Sequence, residues 1–139
     1  MIARNELEIY LAKVTQKFSA TEVHMILMRF MCRCLLLAQG LLPETGRNAL
    51  NSATTFWLDG QGRAADLLTA RIDCWNYLDS KHRSTDIKDR EDAAMRAVIC
   101  VLYAEPQSDD FSAETVRWFA DMFDRLGDYS NETAQLMKD

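Results

Sequence analysis

The segment Val23–Leu42 restricts the fold more than any other part of the chain. On a helical wheel at about 100° per residue, Val23, Ile26, Leu27, Phe30, Cys34 and Leu37 form one face, while Met25, Met28, Cys32 and Leu36 fall on the others. A helix that is apolar all round must be enclosed by its neighbours. The stretch approaches the length of a membrane span, but His24, Arg29 and Arg33 interrupt it. A charged side chain at mid-bilayer costs about 2.5–3.5 kcal/mol on insertion scales, so two arginines favour a buried helix over a span.

Other helices can be read around it, and no strand is needed. Leu7, Tyr10, Leu11, Val14 and Phe18 recur at three- and four-residue spacing, which predicts a first helix over about 5–18. Ser19-Ala-Thr-Glu22 is a capping-box pattern opening the second, which Gly40 stops. A third follows Pro43 to about Leu58, and Asp59-Gly60-Gln61-Gly62 breaks the chain before a fourth over about 63–78. The polar stretch Asp79–Ser84 predicts an exposed loop, Thr85–Tyr103 a fifth helix ended by Pro106, and Ser112–Gly127 a sixth. Phe111 and Val116 are spaced as a hydrophobic staple about a cap at Ser112. Five Gly and two Pro in 139 residues leave little material for the turns of a β-sandwich. The expectation is one all-α domain over 1–127, a compact bundle of about six helices around the central helix 20–40, with 128–139 as a polar, frayed tail.

The four cysteines sit in apolar segments, and Met1–Tyr10 carries charges where a secretion signal needs an apolar run. Cys32 and Cys34 point to nearly opposite sides of one helix, so they share neither a bridge nor a metal easily. Reduced, buried thiols in a cytoplasmic protein are expected.

Motifs for catalysis or metal binding are missing from the sequence. His24 and His82 add little to four scattered cysteines as zinc ligands. No Glu-x-x-His pair supports a di-iron bundle, and the acids of Asp86–Asp92 lack the spacing and central glycine of a calcium loop. Gly60 and Gly62 lack the third glycine and preceding strand of a phosphate loop. No catalytic residue, cofactor or metal is expected, and His24 reads as a structural histidine.

Charge is divided unevenly. Residues 1–63 carry seven Lys/Arg against five Asp/Glu, whereas residues 64–139 carry nine against sixteen. Such a field repels nucleic acid and anionic membrane and attracts basic proteins. Acids in the first turn of a helix complement its dipole, which accounts for Asp86, Asp89 and Glu114 and partly for Asp109 and Asp110. It does not account for Asp121, Asp124 and Asp128 at a helix C-terminus. Trp118 and Met122 flank the inward stripe of that helix, and both residue types are enriched in interfaces. Trp118, Asp121, Met122, Asp124, Asp128, Asp109 and Asp110 therefore form the expected partner-binding surface. Arg29 and Arg33, four apart, read either as long stems covering the core and pairing with Asp66 or Asp73, or as an anion-binding pair. The first reading is preferred because the sequence offers no pocket for the second.

The segments Pro43-Glu-Thr-Gly-Arg47-Asn-Ala49-Leu50, Phe56-Trp57-Leu58-Asp59-Gly60, Ala70-Arg71 and Trp75 resemble the helical immunity proteins of bacterial polymorphic toxin systems. Those proteins commonly place a proline and an arginine before an Ala-Leu helix, then an aromatic residue and a glycine before an alanine-rich helix. The resemblance implies a small cytoplasmic protein that blocks a cognate toxin by binding it, with no catalytic residue to transfer. Together with the acidity, it leads to the expectation of an immunity protein masking a basic toxin domain. The alternatives are a phage-encoded inhibitor that mimics nucleic acid, of the anti-CRISPR type, and a helical hydrolase using carboxylates or Mg²⁺.

Overall fold

The computed structural model describes residues 1–83 and 85–138. It is all-helical: α1 (Arg4–Lys17), α2 (Ala20–Leu37), a 3₁₀ turn (Gln39–Leu41), α3 (Glu44–Trp57), α4 (Ala64–Ser80), α5 (Arg90–Ile99), α6 (Phe111–Phe123) and α7 (Ser130–Lys138). Among the described residues there is no strand, and no helix is long and apolar enough to cross a membrane.

The central helix forms as its sequence dictates. Ser19 Oγ accepts the Glu22 N–H and the Glu22 carboxylate accepts the Ser19 N–H, closing the capping box. α2 then packs against α1, α3, α6 and α7. It ends at Leu37, and the last turn tightens into the 3₁₀ segment before Pro43. Enclosure is incomplete, because Arg33, Leu36 and Leu37 face solvent.

α5 is more deeply buried than α2. Every residue from Asp92 to Leu102 is buried. Ala93, Ala94 and Ala97 let neighbouring helices approach closely, while four charged residues in its first seven disguise it as a surface helix. The helix starts at Arg90 rather than Thr85, with the Asp89 side chain accepting the Asp92 N–H as its cap. Asp92 is itself buried, and burial alone would raise its pKa. The Lys88 N–H and the Arg83 guanidinium outweigh that and hold the carboxyl below its usual range. α4 outruns its expected end by two residues, and the chain turns away with His82 in the left-handed region, at φ 58°. Ser84, the end of the expected loop, lies outside the described residues.

The expected tail is a helix. α7 seats against α1 and α2, with Thr133 fully buried and Leu136 and Met137 packed on the core. Asp128 accepts both the N–H and the hydroxyl of Ser130, which sets up the first turn. The boundary at 127 is thus not a domain edge, since Tyr129 and the α7 side chains join the same core; Asp139 lies outside the described residues. The hydrophobic signal was weak because α7 presents only three inward side chains at helical spacing.

Candidate functional site

The end of α5 organises the middle of the molecule. Beyond Ile99 the chain leaves the helix, and the carbonyls that follow are too deeply placed for water to satisfy. Three helices each send one donor. Trp57 Nε1–H of α3 donates to Val101 O at 2.9 Å, Arg71 Nη1–H of α4 to Leu102 O at 3.1 Å, and His24 Nε2–H of α2 to Tyr103 O at 2.7 Å. The other ring nitrogen of His24 accepts from Ser112 Oγ–H at 2.7 Å. Ser112, expected as a helix cap, lies inside α6, and Asp110 takes the N-terminal position. With Asp110 before the first turn the staple positions fall on Asp109 and Glu114, which are not apolar, so the expected staple about Ser112 does not form.

Pinning Tyr103 opens a cleft of about 440 Å³ between α4, α5 and α6. Trp75, Ile99, Tyr103, Phe111 and Trp118 supply its apolar walls, with Arg96 and Cys100 at the base. Tyr103 and Phe111 meet edge to face at 5.1 Å, and the Arg71 guanidinium lies over the Tyr103 ring at 4.2 Å. The stripe continues along α4 through Ile72 and Leu68, which are 51% and 47% exposed, and Trp118 is 40% exposed. Burial holds the Cys100 thiol, like those of Cys32, Cys34 and Cys74, far above its ordinary pKa and therefore protonated. The cleft offers shape, aromatic faces and cationic depth for a side chain of a partner.

The expected binding residues separate here. Trp118 lines the cleft, and Asp109 and Asp110 are exposed beside Ser108 and Phe111 on its rim. Met122 does not belong to the surface; it is buried at 3% exposure. Asp121, Asp124 and Asp128 hold the N-terminal segment instead. Arg4 bridges Asp121 and Asp124 at 2.9 and 2.8 Å, Ile2 N–H donates to Asp124, and the Met1 ammonium meets Asp128 at 2.7 Å. The Met1 ammonium and Ser130 lower the Asp128 pKa well below the usual carboxylate range. Acids at a helix C-terminus, unexplained in the sequence, are thus the counter-ions of α1. Arg117 repeats the theme, pairing with Glu8 through two hydrogen bonds.

Arg4→Ala is expected to cost about 1 kcal/mol, because Arg4 and Asp121 are exposed and Asp124, though only 10% exposed, keeps the Ile2 N–H as a partner, yet to speed amide exchange over the first turn of α1. Urea unfolding and exchange mass spectrometry read the two effects. A loss of several kcal/mol would contradict a surface clamp.

Arg29 does not pair with Asp66 or Asp73. Its Nε–H donates to Trp57 O at 2.8 Å, capping the end of α3. Asp66 accepts the Arg63 N–H at the start of α4, and Asp73 faces a polar trough of about 740 Å³ between α3 and α4, walled largely by Asn, Ser and Thr. Among the described residues, no three His, Cys, Asp or Glu side chains come together as a metal site.

No family model matches the chain, and neither a curated protein nor a solved structure does.

Proposed function

We propose that this protein works by stoichiometric binding of a protein partner through the α4–α6 cleft, with neutralisation of a basic toxin as the specific role. The single observation behind this reading is the concentration of exposed Leu68, Ile72 and Trp118 around half-buried Trp75 and Tyr103. Trp, Tyr and Arg dominate binding hot spots when they surround a pocket that loses its water on docking. Scattered exposed apolar residues need no explanation, but a stripe leading into an aromatic cleft does. Asp109 and Asp110 edge the cleft with negative charge, while Glu114 is paired with Arg117, and this edge favours an apolar anchor flanked by Lys or Arg and would accelerate encounter. A nucleic-acid mimic needs a row of free carboxylates, and that reading weakens because Asp121, Asp124 and Asp128 are occupied. The immunity role rests on the sequence resemblance and the acidity.

The test is capture from the native host with the full chain and with Ile72→Glu/Trp118→Glu, both exposed positions. The wild type is expected to retain a basic protein in a one-to-one complex. The variant should melt normally and bind at least about thirtyfold more weakly, the effect of losing a hot spot worth about 2 kcal/mol. Undiminished affinity in a folded variant removes the cleft from consideration, while Asp121→Lys is expected to leave affinity within a few-fold of wild type.

A further inference from the structure

A second cleft, on the opposite charge principle, lies between α1, α2 and α7. It measures about 370 Å³, and Lys13, Lys17, Arg29, Arg33 and Lys138 line it without a single carboxylate among the described residues. The chain as a whole carries a net charge of −5, so acids were available to balance this site. None of Lys13, Lys17, Arg33 and Lys138 forms an ion pair among the described residues. Lys13/Lys17 and Arg29/Arg33 are like charges four apart on facing helices, an arrangement that opposes helix formation rather than supporting it. The floor is apolar: the Tyr10 and Phe30 rings meet at 5.2 Å, and Phe18, 42% exposed, stands at the α1–α2 corner. Arg29 is held in place by its bond to the Trp57 carbonyl.

We infer that this cleft binds an anionic amphiphile, a molecule with one carboxylate or phosphate head and an apolar tail. Among the described residues the charged groups of the lining are all cationic, so the head must be negative, and an apolar floor excludes a purely hydrated anion as the preferred ligand. The volume falls within the range of small-molecule sites, which are mostly apolar with a few convergent polar groups. Arg29 and Arg33 thus acquire the pocket that the sequence alone did not provide for an anion-binding pair. The site is separate from the α4–α6 cleft and does not depend on the function proposed for it.

Calorimetric titration of the full chain tests the inference with decanoate and decyl phosphate below their micellar concentrations. Decyltrimethylammonium supplies the same tail with the wrong charge, acetate and inorganic phosphate supply the heads alone, and phosphatidylglycerol vesicles supply an anionic surface. One equivalent of decanoate or decyl phosphate is expected to bind at least about tenfold more tightly than any of these controls. Lys17→Glu/Arg33→Glu, at two exposed positions, should remove that preference while leaving the melting temperature within a few degrees. Trp57, Trp75 and Trp118 do not line the cleft, so their fluorescence should stay constant. Equal affinity for both tails, binding of heads alone, binding only to vesicles, or an unchanged charge-reversal variant would each overturn the assignment.

Discussion

Replacing His24 with alanine is expected to lower the unfolding free energy by about 3 kcal/mol, by removal of a buried polar link and creation of a cavity. The ring is 2% exposed, and both nitrogens are bonded. A carbonyl can only accept, so Nε2 carries the proton toward Tyr103 and Nδ1 accepts from Ser112. Deleting the ring strands the Ser112 hydroxyl and the Tyr103 carbonyl together. It also frees the segment that sets the α4–α6 cleft. Urea unfolding at neutral pH measures the loss, and a change below about 1 kcal/mol would show that the link is dispensable.

The same residue gives a pH signature. Burial lowers the His24 pKa, with the Tyr103 carbonyl and Glu105 opposing that only partly. The folded state thus resists a proton that the unfolded chain accepts near pH 6.5. Stability from this source is complete above that pH and falls as pH drops through and below it, since the unfolded state then binds more protons. A His24→Gln variant should show a flatter stability profile between about pH 7 and about pH 5. Parallel profiles would assign the acid sensitivity to the carboxylates.

Gly46→Val is expected to destabilise the protein by a similar amount, about 3 kcal/mol. Gly46 is buried in the first turn of α3, and a Cβ placed there would stand 2.8 Å from Met95 Sδ and 3.1 Å from Leu42 Cδ2. Met95 is fully enclosed within α5, so it can yield only by disturbing its own neighbours. Valine adds two methyl groups to a contact that is already too short for one. Alanine presents a finer balance, because helix propensity favours it over glycine by about 1 kcal/mol while the clash opposes it. In a Met95→Ala background the shortest contact disappears while Leu42 Cδ2 stays at 3.1 Å, and Gly46→Ala should become less costly. A double-mutant cycle is expected to give a coupling of about 1 kcal/mol or more. Independent effects at the two positions would show that α3 and α5 do not meet at this point.

Much of this architecture is local and was legible. The capping box at Ser19, the break at Asp59–Gly62 and the spacing within α1, α3 and α4 act through near neighbours, so sequence periodicity predicts them. α7 and the start of α5 were misread because their apolar positions are few or masked by charge, and packing rather than propensity decides such segments. Of the residues expected to bind a partner, Trp118 is exposed as anticipated and Met122 is not. On a helical wheel the two lie close together, and only the neighbouring helices determine which of them is covered.

By itself, then, the sequence determined an all-helical fold with α2 near its centre, since hydrogen-bond ladders, caps and apolar periodicity are properties of consecutive residues. Tertiary structure alone decided what the charges do. Asp121 and Asp124 meet Arg4 across more than a hundred residues of chain, while Lys13, Lys17, Arg33 and Lys138 converge without a counter-ion among the described residues. Coulomb interaction depends on distance in space and on solvent exposure, and neither quantity exists until the helices have packed.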